Sequence, residues 1–234
     1  MKIALLGYGK MGKTIEQIAL EKSHEIVFKS TSLAVEGDLS NADVAIEFST
    51  PGAAVKHIKK ALEANIPVVS GTTGWLEHYD EIINLCNKLN GTFLYASNFS
   101  VGVNIFFAIN AYAAKLMQKF DEYEVSIKEI HHTQKIDAPS GTAISLAKDI
   151  LKHSDKSGWI LDEKNPDKLT ISAIREEDVK GTHIITYQSE IDSIQLQHEA
   201  FSRTGFAKGA ILAAEWIRDK QGVFSMKDVL KIEN

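Results

Sequence analysis

The feature that most constrains the fold is a glycine-rich turn close to the start of the chain. Residues 7–12 read GYGKMG, which fits the pattern GxGxxG, and they follow the short apolar run Lys2–Leu6. Apolar residues then recur at helical spacing through Thr14–Glu21. A strand, a glycine turn and a helix in this order are typical of a dinucleotide-binding unit, because the glycines let the backbone approach a pyrophosphate. A tight turn between strand and helix that binds nothing is the alternative.

Apolar runs and helical patterns continue to alternate over the first hundred residues. Further strands are predicted at Glu25–Lys29, Val44–Phe48, Ile66–Ser70 and Phe93–Ala96, with helices that begin near Thr50 and Leu76. This alternation predicts a parallel sheet with helices on both faces. Only about a dozen residues separate the second strand from the third, which predicts an abbreviated connection between them.

The pattern changes after Asn98 and predicts a second, mixed α/β region. Helices are expected at residues 104–120 and Thr142–Lys152, a strand at Tyr123–Ile130, and three β-branched runs that look like antiparallel strands at Thr170–Arg175, His183–Gln188 and Asp192–His198. Residues 152–167 are the most loop-like segment. A final helix at Ala207–Lys220 could pack back on the first region.

Composition excludes several classes of protein. Hydrophobic residues make up 44% of the chain and charged residues 24%, as in ordinary folded proteins. The net charge of −5 argues against a nucleic-acid partner, which a basic surface would attract. The single cysteine, Cys86, cannot form an internal disulfide, and no apolar run is long enough to span a membrane. We therefore expect a soluble cytoplasmic protein with no membrane partner.

The end of the second strand bears on the choice of dinucleotide. NAD-binding units usually place an acid there to bind the ribose hydroxyls. Residues 28–31 read FKST and contain no acid. Lys29 could instead meet the 2′-phosphate of NADPH, and a solvated lysine is the alternative interpretation.

Three further segments lie at the carboxyl ends of predicted parallel strands, which is the edge where open α/β sheets bind ligands. These segments are Phe48–Pro51, Gly71–Gly74 and Ala96–Ser100. Their small and hydroxyl-bearing residues suit close packing of a nicotinamide ribose. Ordinary turns with helix-capping residues are the alternative.

The densest polar cluster is residues 131–142, HHTQKIDAPSGT. A lysine next to a predicted helix start describes a carboxylate pocket, because free N–H groups at a helix start attract anions. His131, His132 or Lys135 could donate a proton. A metal site built from the two adjacent histidines is disfavoured, because neighbouring strand residues point to opposite faces. A polar loop with a capped helix is the alternative.

Residues 131–143, HHTQKIDAPSGTA, resemble the signature of the 4-hydroxy-tetrahydrodipicolinate reductase (dihydrodipicolinate reductase) family. The resemblance extends to GYGKMG, to Gly71–Thr73, to residues 96–104 (ASNFSVGVN) and to residues 198–210 (HEAFSRTGFAKGA). It implies a Rossmann dinucleotide-binding domain at residues 1–102 with 204–234, and a mixed α/β domain for substrate binding and oligomerisation at residues 103–203. The implied activity is NAD(P)H-dependent reduction of a cyclic dicarboxylate in diaminopimelate and lysine biosynthesis, by a homotetramer that uses no metal.

The resemblance also implies roles for individual residues. His131 and Lys135 would be the proton donors. The substrate contacts would be His132, Ser140, Gly141 and Thr142. The contacts with NADH or NADPH would be Gly7, Tyr8, Gly9, Lys10, Met11, Lys29, Gly71, Thr72, Thr73, Ala96, Ser97, Asn98, Phe99 and Arg203.

The chain departs from the family pattern at two places. The family usually has the pattern R-x-G-x-x-x-G-x-H where this chain has Arg175–His183, and Glu177 stands at the place of the first glycine. We expect this difference to change a turn without touching the chemistry. The chain is also short between the second and third strands, which leaves the choice between NADH and NADPH open. Two rival hypotheses are a non-catalytic dinucleotide sensor or assembly subunit, and an oxidoreductase for an aspartate or semialdehyde derivative.

Overall fold

The computed structural model describes residues 1–202 and 204–232. These residues divide into two compact units, the first comprising residues 1–101 and the described part of 204–234, the second the described part of 102–203. No helix within the described ranges is long and apolar enough to cross a membrane.

The first unit is built on a seven-stranded sheet. Its strands are β1 (Lys2–Leu6), β2 (Glu25–Ser30), β3 (Val35–Gly37), β4 (Val44–Glu47), β5 (Val68–Ser70), β6 (Thr92–Tyr95) and, from later in the chain, β12 (Gly222–Phe224). The strand order is β12-β6-β5-β4-β1-β2-β3, and every neighbouring pair is parallel except β2 with β3. The predicted parallel sheet is therefore confirmed, and β3 and β12 are additions.

Helices cover both faces of this sheet. They are α1 (Lys10–Glu21), α2 (Pro51–Glu63), α3 (Tyr79–Lys88), α6 (Thr204–Ile217) and α7 (Met226–Leu230). Apolar residues of α1, α6 and α7 pack on one face, around Ile15 and Ile211, and those of α2 and α3 pack on the other, around Ile58 and Ile82. The connection from β2 to β4 contains only the short strand β3 and a 3-10 turn, so the predicted abbreviated connection is confirmed.

The second unit is built on a five-stranded sheet. Its elements are α4 (Val101–Met117), β7 (Glu124–His131), α5 (Gly141–Leu151), β8 (Trp159–Leu161), β9 (Leu169–Arg175), β10 (Thr182–Gln188) and β11 (Ser193–Glu199). The strand order is β11-β10-β7-β9-β8. Strand β10 runs antiparallel to β11, as predicted, and it also runs antiparallel to β7.

Two predictions for the second unit were wrong. Strand β9 runs parallel to β7, because the chain between them crosses over through α5, and a β-branched composition carries no information on strand direction. The segment expected to be a loop contains β8, which pairs with β9.

Strand β7 determines where the polar cluster lies. Its alternate residues Val125, Ile127, Glu129 and His131 are all buried. Since successive strand residues point to opposite faces, a glutamate and a histidine share the face whose other members form the apolar core with α4 and α5.

Candidate functional site

The glycine turn of the first unit, residues 7–12, forms a cradle in which Gly7 has no space for a side chain. Gly7 has φ +101°, and a Cβ there would lie 2.1 Å from the carbonyl oxygen of Phe48. Gly9 is the N-cap of α1, and no side chain of the described residues caps this helix start. The amide groups of the first helical turn are thus left for a ligand, and a pyrophosphate fits this donor set. Tyr8, Lys10 and Met11 complete the turn.

The neighbouring strand ends carry a buried carboxylate that sequence reasoning missed. Glu47, at the end of β4, is 0% exposed. Its oxygens accept hydrogen bonds from the Ser49 amide (3.0 Å), the Ser49 hydroxyl, Ser70 Oγ (2.7 Å) and Thr72 Oγ1 (2.8 Å). Thr72 Oγ1 in turn accepts from the Ser49 amide at 2.8 Å. Glu47 therefore ties together the loops that follow β4 and β5.

The predicted nicotinamide residues lie at this same sheet edge. A Cβ on Gly71 would lie 2.2 Å from the ring of Phe48, and Thr73 is exposed. Ala96, Ser97 and Asn98 follow β6, and Asn98 accepts a hydrogen bond from the Ser100 amide at 2.9 Å. Phe99 is 1% exposed and packs on Phe48 with ring centroids 5.5 Å apart, so its side chain supports the edge from beneath. Arg203 lies outside the described residues.

Lys29, at the end of β2, is held by other side chains. Its Nζ lies 2.9 Å from Glu16 Oε1 and 4.8 Å from the centroid of the Tyr8 ring. The hydrogen bond to Glu16 raises the pKa of Lys29 above its usual value. The lysine is neither free nor simply solvated.

The polar cluster of the second unit is organised around Glu129, a second residue that sequence reasoning missed. Glu129 is 0% exposed, and its Oε2 accepts a hydrogen bond from the Ser140 amide at 3.0 Å. The same oxygen lies 3.8 Å from His131 Nδ1 and 3.8 Å from His183 Nε2, while Oε1 lies 3.5 Å from Arg175 Nη1. One carboxylate thus faces two imidazoles and a guanidinium.

His131 is buried beside this carboxylate. Burial lowers its pKa below the usual 6.5, Lys135 and Arg175 lower it further, and Glu129 opposes them. Its Nδ1 faces Glu129 and has no hydrogen bond with any described residue. Gly181 lies against the opposite edge of the ring, where a Cβ would be 3.3 Å from Nε2. A proton on Nδ1 therefore faces the carboxylate, and the glycine leaves space beside Nε2.

The neighbouring histidine is held neutral. Burial, aided by His131 and His198, lowers the pKa of His183 to about 3. Its Nε2 lies 3.1 Å from the hydroxyl of Ser140. His183 supports the cluster and carries no charge near neutral pH.

The loop after β7 places Lys135 at the cluster. Lys135 Nζ lies 2.7 Å from both carboxylate oxygens of Asp137, and this hydrogen bond lowers the pKa of Asp137. Arg175 anchors the loop by donating to the carbonyl oxygens of Lys135 (3.3 Å) and Asp137 (2.7 Å). The lysine side chain keeps 21% of its surface exposed, so it can reach a ligand.

The start of α5 follows this loop. Ser140 is the N-cap: its Oγ accepts from the Ala143 amide at 3.1 Å, and the residue is 3% exposed. The amide and the hydroxyl of Ser140 are thus both engaged within the cluster, and its contact with the substrate stays a prediction. Gly141 is exposed and Thr142 half-buried, which leaves the helix start open.

His132 lines a cavity of about 620 Å³ together with Thr133, Gln134, Glu177 and Lys180 among others. The turn that carries Glu177 borders the cavity that His132, a predicted substrate-binding residue, also lines. The expectation that this departure leaves the chemistry untouched stays a prediction. The sequence alone did not show how the strands on either side of this turn pair with β7, so it could not show that Glu177 and His132 line the same cavity.

A metal ion has to be considered for this cluster. Potential ligand atoms of Glu129, His131 and His183 all lie within 4.8 Å of one another. The guanidinium of Arg175, 3.5 Å from the same carboxylate, already supplies a positive charge there. The donor set suits a hydrogen-bonded network better than a cation, and the absence of a metal stays a prediction.

The two missed glutamates had a signal in the sequence. Glu47 ends the apolar run of β4, and Glu129 occupies an inward position in the alternation of β7. An acid in a position whose neighbours predict burial needs partners, and such partners mark a site.

Comparison with known proteins identifies relatives across the chain. Residues 1–99 match the family model described as dihydrodipicolinate reductase, N-terminus, and residues 102–230 match dihydrodipicolinate reductase, C-terminus. A 4-hydroxy-tetrahydrodipicolinate reductase of Christiangramia forsetii is 54% identical over 98% of both chains.

Solved structures agree on the fold. A dipicolinate-bound dihydrodipicolinate reductase from Paenisporosarcina sp. TG-14 superposes with a TM-score of 0.80 at 23% identity, covering 96% of this chain and 97% of that one. An amine dehydrogenase from Mycobacterium smegmatis gives a TM-score of 0.63 at 10% identity, covering 100% and 96%.

Proposed function

The chain belongs to the dihydrodipicolinate reductase family, and we propose from its residues how it performs the NAD(P)H-dependent reduction of 4-hydroxy-tetrahydrodipicolinate to tetrahydrodipicolinate. The observation that carries the proposal is the cluster in which Glu129 faces His131 beside Lys135 and the start of α5. The family assignment displaces both rival hypotheses, the non-catalytic sensor and the reductase of aspartate or semialdehyde derivatives.

The first unit binds the dinucleotide in this proposal. The cradle at Gly7 and the uncapped start of α1 receive the pyrophosphate. The loops fastened by Glu47 present Thr72 and Thr73, together with Ala96–Asn98, to the nicotinamide ribose. Loss of water from 4-hydroxy-tetrahydrodipicolinate gives dihydrodipicolinate, a cyclic conjugated imine, and a bound reduced nicotinamide would supply a hydride to its C4.

The second unit binds the substrate as a dicarboxylate. Lys135 supplies a cation, and the N–H groups at Gly141 and Thr142 supply neutral donors, which together match carboxylate oxygens. The side chain of His132 lines the adjoining cavity and contacts the substrate there.

Protonation of the resulting enamine is assigned to this chain's own side chains. An imidazolium at His131 keeps one proton on Nδ1, facing Glu129, and donates the other from Nε2. Glu129 favours this charged form and holds the ring in place. The negative substrate favours it further, because nearby anions raise the pKa of an imidazole that burial has lowered. Lys135 is the second possible donor.

A steady-state assay tests the proposed function. Purified protein is given freshly generated 4-hydroxy-tetrahydrodipicolinate with NADH or NADPH, and oxidation is followed by nicotinamide absorbance. We expect oxidation only when substrate is present, and a fall in kcat of about 10²–10⁴-fold in His131→Gln. His153→Gln, at a half-buried histidine of the same unit, is the control. Wild-type kcat in the His131 variant would contradict the assigned role.

The proposal includes a homotetramer in the cytoplasm. The single thiol, Cys86, is buried and unpaired, which suits a reducing compartment. Light scattering on the purified protein is expected to give about four times the 25.9 kDa of one chain. A monomer mass would refute the tetramer.

A further inference from the structure

The end of β2 carries a group of charges in the first unit. Lys29 Nζ lies 2.9 Å from Glu16 Oε1 and 4.0 Å from Glu36 Oε2. The other oxygen of Glu16 accepts a hydrogen bond from the Tyr8 hydroxyl. Lys13 Nζ lies 6.0 Å from the centroid of the Tyr8 ring. Two positive and two negative charges therefore surround Tyr8, and they sum to zero.

This group lies beside the glycine cradle. Tyr8 belongs to the cradle, and the amide of Gly7 donates a hydrogen bond to the carbonyl oxygen of Ser30 at 3.2 Å, which joins the end of β2 to the turn. In sheets of this kind the end of the second strand meets the adenosine ribose, whose 2′ substituent distinguishes NADH from NADPH.

The acid that is absent from the end of β2 is supplied by the next strand. Glu36 of β3 is the register partner of Lys29 in the antiparallel pair, so both side chains lie on the same face of the sheet. Its side chain is 75% exposed. Glu36 thus has acceptor capacity for a ribose hydroxyl, whereas Glu16 is occupied by Lys29 and Tyr8.

We propose that this chain prefers NADH to NADPH, with Glu36 accepting from the 2′-hydroxyl and Glu16 holding Lys29 away from a 2′-phosphate. The inference rests on the proposed dinucleotide site. A phosphate brings close to two negative charges at neutral pH, and it meets a site with no surplus positive charge that contains two carboxylates. A hydroxyl is neutral and can donate to the carboxylate.

Equilibrium titration of the full chain tests the inference without substrate. The fluorescence of NADH and of NADPH is followed in the wild type, Glu36→Gln, Glu16→Gln and the double variant. We expect the wild type to bind NADH about tenfold more tightly than NADPH, a ratio that corresponds to about 1.4 kcal/mol. In each single variant we expect the preference for NADH, given by the ratio of the two dissociation constants, to become smaller. In the double variant we expect NADPH to bind more tightly than NADH. Glu21→Gln, on the exposed face of α1, is the matched control and should keep the wild-type ratio.

The outcomes separate this inference from the proposed function. Equal or tighter binding of NADPH by the wild type would overturn the inference, as would an unchanged ratio in both single variants. Since Glu36 is exposed, its variant tests the idea even if Glu16→Gln folds poorly. If substrate is reduced equally well with NADH and with NADPH, the inferred preference for NADH fails and the proposed function stands. If neither dinucleotide binds, the proposed function fails with it.

Discussion

Glu47 and Glu129 are both fully buried carboxylates, one in each compact unit, and they are held by different kinds of partner. Among the residues that the structure describes, Glu47 accepts hydrogen bonds from amide and hydroxyl groups only, and these groups stay neutral at every relevant pH. Glu129 faces two histidines and an arginine, and its Oε1 has no hydrogen bond within the described part of the chain. The first arrangement fastens loops, whereas the second places a carboxylate beside His131, the proposed proton donor.

The difference shows how the same residue type serves structure in one place and chemistry in another. A carboxylate surrounded by neutral donors stabilises one backbone arrangement. A carboxylate beside imidazoles changes their charge and orientation.

The largest expected effect is on turnover, at the cation of the substrate unit. Lys135→Ala should lower kcat by about 10²–10⁴-fold, because a proton donor and a carboxylate partner are both lost. Dinucleotide affinity, measured by fluorescence titration, should stay unchanged. Lys148→Ala, at an exposed lysine of α5, is the matched control. Unchanged turnover in Lys135→Ala would remove the lysine from the mechanism.

Glu129→Gln should also act on turnover. A hydrogen bond or close contact with a charged group is worth about 1.5–3 kcal/mol, so we expect kcat to fall by about one to two orders of magnitude. Circular dichroism and urea unfolding serve as the folding control. A loss of stability with full kcat in the folded fraction would make Glu129 a structural residue like Glu47.

Glu47→Gln should affect stability and dinucleotide binding rather than kcat. We expect the free energy of unfolding in urea to fall by about 1–3 kcal/mol, because a buried amide cannot accept from every donor that the carboxylate satisfies. KM for the dinucleotide should rise while kcat at saturation stays within a few-fold. A loss of kcat equal to that of Glu129→Gln would erase the contrast between the two residues.

The smallest effect concerns acid stability. The pKa of His183 is about 3 in the folded protein and near 6.5 when unfolded, so the unfolded state alone binds this proton between those values. Stability should therefore fall as pH decreases from 6.5 towards 3, by about 1.4 kcal/mol per pH unit from this group. Urea unfolding at pH 7.5 and pH 5 should show a smaller loss in His183→Gln than in the wild type. Equal losses would mean that His183 is not held neutral.

Periodicity predicted most of the fold, since the parallel strands of the first unit, the short β2–β4 connection and the antiparallel pairing of β10 with β11 follow from local patterns. The direction of β9 could not be predicted, because it depends on the crossover through α5. The site was predicted where residues are close in sequence, from His131 to Thr142. Residues that approach only through strand pairing were missed, namely Glu129 with Arg175 and His183, and Glu36 opposite Lys29.

The most direct test of the account is the pH dependence of kcat/KM in the wild type and Glu129→Gln. If His131 donates the proton, kcat/KM should fall as pH rises through a pKa below 6.5, because burial lowers the pKa of the free imidazole. Removing the negative charge of Glu129 should move the fall in kcat/KM to still lower pH. Glu47→Gln should leave the pH of this fall unchanged. A profile that is flat through this range, or that Glu129→Gln does not move, would contradict the claim that Glu129 holds the proton donor.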